Sequence, residues 1–211
     1  MARPSRNTDK LLITAGRKLL PKTGISGLSL RRVAAEAKVN LGMFHYHFHG
    51  KRDFVRRVLQ EVYEEFFKGF SLESAKGGPA AERLEACLVA LAHFARRNRE
   101  LILMMVRDAM DGEPEALRFA RENFPRHIGI VARLVVECQK EGSLREGLVP
   151  MQVFFLAMNS VLPNIGATLV ERSGTKTALG MPLPRFRDML LSDESIELRV
   201  KTALRGVRRT P

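Results

Sequence analysis

The side chains with the most chemistry on offer lie together between Leu41 and Lys51, in LGMFHYHFHGK. Three imidazoles there, His45, His47 and His49, raise metal binding first. On a helix, residues two apart point to nearly opposite sides, so the three cannot converge on one ion. No cysteine or aspartate adjoins them to complete a coordination shell. Catalysis has no better footing: the chain shows no nucleophile elbow, no phosphate-cradling glycine loop and no paired carboxylates in a defined setting. What remains is recognition, with imidazole, phenol and amine groups at the front of a short helix, suited to base edges and phosphates.

Those groups need a frame, and the flanking residues supply one. Ser29 is placed to cap a helix, and Leu30, Val33, Ala34 and Ala37 give it one apolar face. Ala34, Ala35 and Ala37 are small enough for a second helix to come close, and Val39 fills the turn. Asn40 is the next N-cap, opening a helix over about 41–47. Phe44 and Phe48, four apart, anchor that helix inward. Leu41, Gly42, Met43, His45, Tyr46 and His47 stay free to meet DNA. Gly50 and Lys51 start a third helix, where the Lys51 amine and the first-turn amides suit a phosphate. Two short helices joined by a tight turn are the layout of a helix-turn-helix, whose second helix enters the major groove.

Charge points the same way. The chain of 211 residues carries +12. Residues 1–57 hold 13 Lys and Arg against three acids (Asp9, Glu36, Asp53), so +10 of that excess lies in the first quarter. A positive excess confined to the helix-turn-helix segment is an electrostatic footprint for phosphates.

The stretch Ser29, Leu30, Arg31, Val33, Ala34, Val39, Asn40, Gly42, Phe44, His45, Tyr46, His47, Phe48 and Lys51 resembles the TetR family of bacterial one-component regulators. Leu19, Leu20 and Gly24 resemble the end of that family's first helix. The likeness covers about the first 55 residues; His45 and His47 depart from it, standing where the family more often has Tyr. Pro21 departs as well, and as a helix breaker it predicts that the first helix ends at about Leu20 or kinks there. The resemblance implies an all-α protein, with a three-helix DNA-binding domain over 1–50 and an effector-binding and dimerisation bundle over 51–211. It implies no enzyme activity and no cofactor. Arg31, Leu41, Gly42, Met43, His45, Tyr46, His47 and Lys51 are then the DNA-binding residues. Among them Lys51 and His47, with an Arg3/Arg6 arm, mainly hold phosphates, and Arg31 is a guanine reader.

Beyond that segment, helical patterns run over about 51–70, 80–97, 100–111, 115–141 (interrupted at Pro125), 150–171 and 194–209. Residues 71–79 and 172–184 read as loops by their Ser, Gly and Pro content. Gly147–Val170 carries no charge, long enough for a bilayer. Its Pro150, Gln152, Asn159, Ser160, Pro163 and Asn164 are costly in lipid, so a helix buried in protein is expected. No secretory signal is visible, and a cytoplasmic protein is expected. Cys87 and Cys138, far apart among apolar residues, are expected to be buried free thiols.

A bundle core can hold a ligand between facing helices. The expected pocket residues are Phe67, Phe70, Leu91, Phe94, Met104, Met105, Phe124, Ile128, Phe155 and Met158. No carboxylate or arginine in those helices stands out as a clamp beyond Arg107 and Asp108, and His93 reads as structural. The function expected is ligand-responsive regulation: a homodimer joined through roughly 150–171 and 194–209 binds a palindromic operator, most simply as a repressor, and is released by a small, mainly apolar effector. Two other classes compete. A helical carrier or enzyme with a vestigial head predicts DNA binding without sequence preference, and an architectural DNA protein predicts no ligand response.

Overall fold

Apolar residues at helical spacing build nearly all of the computed structural model, which describes residues 7–159 and 162–209. The helices are α1 (Thr8–Gly27), α2 (Leu30–Glu36), α3 (Leu41–His47), α4 (Lys51–Ala75), α5 (Ala80–Arg97), α6 (Arg99–Met110), α7 (Pro114–Lys140), α8 (Pro150–Met158), α9 (Leu162–Arg172), α10 (Leu183–Leu191) and α11 (Asp193–Arg205). A two-residue hairpin, β1 (Thr177–Ala178) and β2 (Met181–Pro182), pairs antiparallel with Thr177 opposite Pro182. The all-α expectation holds.

The chain gathers into two compact units that do not follow sequence order. One runs through Glu65 and adds Glu100–Asn123; the other is Phe66–Arg99 with the chain from Phe124 onward. In the first unit α1, α2 and α3 pack on one another. Leu12, Leu20, Val33, Phe44, Phe54 and Met104 are fully buried there. Full burial of each such side chain stabilises by roughly 1.5–3 kcal/mol. Gly16 lets α1 approach α4, since a Cβ at that point would stand 2.7 Å from both Phe54 Cζ and Val58 Cγ2.

The first helix kinks, one of the two outcomes expected of it, but at Gly24 and not at the proline. It runs through Pro21 and breaks at Gly24, where φ 70 and ψ 173 leave the helical region. That positive φ is open to glycine and strained for other residues. The break exposes the Ile25 amide, and the end of α6 takes it up: Ile25 N–H donates to Asp108 Oδ2 at 2.7 Å. The Ser26 hydroxyl donates to Glu113 Oε2 at 2.6 Å, and Arg56 reaches Glu115 at 3.2 Å. The α6–α7 corner is thus bonded into the same unit as the helix-turn-helix.

In the second unit α11 packs on α5 and α8, and α10 packs on α9 and the hairpin. Leu84, Leu88, Leu134, Leu144 and Ile196 form its fully buried interior. Arg83 pairs with Glu137 at 2.6 Å and Arg99 with Glu171 at 2.7 Å. Cys87 and Cys138 are buried and free, as expected. Burial pushes the Cys87 thiol up to about 12. Three loop and break expectations are corrected. Residues 71–75 continue α4, α7 passes through Pro125 without interruption, and 172–184 contains the hairpin and leads into α10. No helix among the described residues is long and apolar enough to cross a membrane.

Candidate nucleic-acid interface

The turn that sets α3 against α2 is closed by the backbone. Val39 N–H donates to Ala34 O at 3.0 Å and Lys38 N–H to Ala35 O at 3.1 Å, with Lys38 at φ 56. This pair of bonds around a left-handed residue is a Schellman motif, formed here by a lysine where glycine is favoured. Asn40 caps α3 as its position suggested, its Oδ1 accepting from Gly42 N–H at 2.8 Å. Ser29 precedes α2 but makes no side-chain cap bond.

Inside the turn, Phe44, Phe48 and Phe54 pack ring to ring with centroids 4.9–5.2 Å apart. Phe44 and Phe48 are buried to 0% and 1% exposure. That anchor fixes the rotation of α3 and decides which residues face outward. Gly42, His45 and Tyr46 are exposed, Tyr46 to 68%, and Leu41, Met43 and His47 are half-buried. His47 Nε2 itself is buried without a hydrogen-bond partner. Lys51, expected to meet phosphate, is half-buried and donates its ammonium to Ser26 O. Arg31 and Arg32 are exposed on α2, Lys38 in the turn and Arg52 on α4 are exposed too, and none of these takes part in an ion pair among the described residues. Lys18 is engaged differently, holding the Glu36 carboxyl below its usual range through a hydrogen bond and their opposite charges. The Arg3/Arg6 arm lies outside the described residues.

The expected effector residues divide between the units. Met104 and Met105 fall in the unit of the helix-turn-helix, and the other eight in the second. There Phe70, Phe94 and Phe124 join a cluster with three residues that spacing alone did not single out: Phe66, His127 and Phe154. Phe66 stacks on Phe94 at 4.5 Å, and His127 lies edge-on to Phe66, Phe70 and Phe124 at 5.7–6.3 Å. Phe154 approaches the same imidazole at 6.1 Å. Phe67 is half-buried under the Arg126 guanidinium, which stands 4.0 Å over its ring. Leu91 is buried, Ile128 and Met158 are half-buried, and Phe155 is 64% exposed.

Arg107 and Asp108, the candidate clamp, pair with each other at 2.9 Å in the first unit, where Asp108 also holds Ile25. His93 Nδ1 stands 3.6 Å from Asp193, and burial, aided by Arg96, lowers its pKa against the opposing pull of that carboxylate.

Residues 12–58 match the family of bacterial regulatory proteins described as tetR. The transcriptional repressor DhaR, an HTH-type protein of Mycobacterium sp. strain GP1, is 28% identical over 147 residues, or 66% of this chain and 71% of that one. The ketosteroid transcriptional regulator KstR2 of Mycobacterium tuberculosis shares the fold with a TM-score of 0.71 at 14% identity, over 99% of this chain and 98% of that one. FadR, a transcriptional regulator of Bacillus subtilis solved in complex with stearoyl-CoA, aligns with a TM-score of 0.66 at 14% identity, over 87% and 98% of the two chains.

Proposed function

We propose that the chain, whose residues 12–58 match the tetR family of bacterial regulatory proteins and which is similar to the repressor DhaR, is a TetR-type, ligand-released repressor acting as a homodimer on a palindromic operator. The observation that carries this reading is the rotation of α3. With Phe44 and Phe48 locked inward, Gly42, His45 and Tyr46 face solvent, and Arg31, Arg32 and Arg52 of the same unit are exposed. In a major groove Leu41 and Met43 supply apolar contact to thymine methyls, His45 and Tyr46 hydrogen-bond base edges, and Arg31 reads guanine. His47 joins the phosphate contacts once its ring turns outward, and Lys51 once it exchanges Ser26 O for a phosphate oxygen. Two copies whose recognition helices stand about 34–36 Å apart enter successive grooves of one inverted repeat.

Dimerisation uses residues 150–171 and 194–209, where Phe155, Leu162, Leu169 and Leu198 leave more than half of their surface exposed. In functional terms residues 1–50 bind DNA and 51–211 bind effector and partner. The effector is small and mainly apolar, and it occupies the aromatic cluster of the second unit. By preferring one arrangement of that bundle it shifts the population away from the spacing that fits the operator. This activity places the protein in the cytoplasm with the chromosome. Selecting genomic DNA fragments on the purified protein at physiological salt tests the reading. Recovery of a short inverted repeat is the expected result, and diffuse binding abolished by modest salt would overturn it.

A further inference from the structure

Among the described residues of the second unit, one charged side chain has two buried donors that meet no acceptor. Arg199 lies half-buried on the flank of α11 beside the buried Ile196 and Val200. Its Nε and Nη2 are closed off from solvent and meet no hydrogen-bond acceptor among the described residues. Burial lowers its pKa from the ordinary arginine value, with no carboxylate opposing the shift. The acids of its own helix are committed elsewhere or exposed: Asp193 pairs with Arg96 at 2.7 Å, Glu197 with Lys201 at 3.2 Å, and Glu194 faces solvent.

A guanidinium does not escape this situation by losing its proton. Sequestering it without a partner is unfavourable, and proteins ordinarily supply an anion. The two idle donors are also a particular pair. Nε–H and Nη2–H project side by side and match the two oxygens of a carboxylate or phosphate. Among the described residues the unit has two other buried orphans: Arg83 Nε, on a guanidinium whose Nη2 already pairs with Glu137 at 2.6 Å, and Asn164 Oδ1, an acceptor on a residue with no exposure, whose amide nitrogen donates to Ala92 O. Asn164 Oδ1 has the wrong sense to bind an anion and the Arg83 charge is already answered by Glu137, which leaves Arg199 as the anion's receptor. The helices that α11 packs on, α5 and α8, carry Phe94 and Phe154 of the aromatic cluster.

We propose that Arg199 is an oxyanion-binding residue of the effector site, and that the effector is an amphipathic anion: an apolar body for the aromatic cluster and a carboxylate or phosphate ester for the Arg199 fork. This rests on the reading that the second unit binds an apolar effector, and it adds the head group.

The test uses the full-length protein and three probes of one chain length: decanoate, decyl phosphate and decan-1-ol. Native protein should bind at least one of the two anions about tenfold more tightly than the alcohol by calorimetry, a difference of about 1.4 kcal/mol. The tighter anion identifies the head group. In Arg199→Met, which keeps the stem and removes the charge, that preference should fall to parity while the alcohol still binds. Arg199→Lys, which keeps the charge and loses the fork, should recover only part of it. Arg199→Met should also melt at or above the native temperature, because an unpaired buried charge has been removed, so loss of preference is not loss of fold. Persistence of the preference in Arg199→Met would overturn the proposal. So would equal binding of alcohol and anions to the native chain, which would leave the apolar-effector reading standing. Weaker self-association of Arg199→Met with unchanged probe preference would give Arg199 to a carboxylate of a second copy and overturn the proposal too. Binding of none of the three probes would defeat both readings together.

Discussion

The unit that carries α3 and the unit that carries the aromatic cluster deploy their polar groups in opposite ways. In the first, buried carboxylates are paired: Asp108 holds Ile25 and Arg107, and Glu115 holds Arg56. Its chemically useful groups, His45, Tyr46 and Arg31, stand outside on a rigid frame. His47 Nε2 and Arg17 Nε are the exceptions, and the rest of the Arg17 guanidinium grips Glu65 at 2.6 and 3.0 Å. In the second unit the surface ion pairs are ordinary, and the unmatched atoms among the described residues are inside, at Arg199, Asn164 and the Nε of Arg83, whose charge Glu137 answers. A surface that reads a polymer needs a finished scaffold and exposed readers. A site that encloses a small molecule leaves donors or acceptors for that molecule to complete.

That contrast can be broken at several points. The largest effect is expected at the frame. Phe44→Ala should cost about 3–5 kcal/mol of stability, read as a lower urea midpoint, and should abolish DNA binding by releasing α3. A loss under about 1 kcal/mol would mean that the ring cluster does not orient the helix. Next is the corner: Asp108→Ala leaves the Ile25 amide buried without an acceptor and should cost about 2 kcal/mol. Asp108→Asn, which keeps an oxygen there, should cost less than half as much. Equal losses would show that the charge, and not the bond to Ile25, is what matters.

A reader behaves differently from a frame. Tyr46→Ala should leave the melting temperature almost unchanged while operator affinity falls by about tenfold or more, within the 1–3 kcal/mol of a base contact. A matched loss of stability would place Tyr46 in the scaffold. Smaller again, and of opposite sign, Lys38→Gly should stabilise by about 1 kcal/mol by relieving the left-handed strain of the Schellman turn.

A pH dependence in the second unit is an effect of a different kind. The buried Cys87 thiol has its pKa raised to about 12, against an ordinary value near 9. Unfolded chains therefore lose that proton first. The stability due to the neutral thiol is complete below about pH 9 and declines as pH rises from there toward 12. Cys87→Ala should flatten that part of the stability curve.

The legible and illegible parts of the sequence follow the same division. The helix-turn-helix is written in local terms: Asn40 caps, Phe44 and Phe48 are four apart, and the small residues of α2 permit the turn. Those rules operate within one or two turns of chain, and α3 emerges over the expected 41–47. Local rules failed where a breaker was given too much weight. Pro21 and Pro125 cost one amide donor each and sit within helices, while the break in α1 is at Gly24, which alone near there takes a positive φ. Prolines at the start of α10 read as loop, although a helix accepts proline in its first turn. The hairpin was hidden because its turn places Leu179, at φ 50, where Asn or Asp gives the usual signal.

In the second unit, spacing could identify apolar faces and not which faces meet. Phe66, His127 and Phe154 come together from three helices, and no periodicity along the chain encodes that encounter. Arg199 left a fainter sign: an arginine between Ile196 and Val200, next to the buried stripe of an otherwise amphipathic helix.

The central claim is that α3 reads sequence, and the ratio of two affinities tests it most directly. The purified full-length protein is titrated, at one physiological salt concentration, with the selected inverted repeat and with the same bases scrambled. Specific readout predicts a preference of at least about a thousandfold, with two protomers bound per repeat. A ratio near one, falling equally with added salt for both DNAs, would contradict the account and reduce α3 to part of a basic surface.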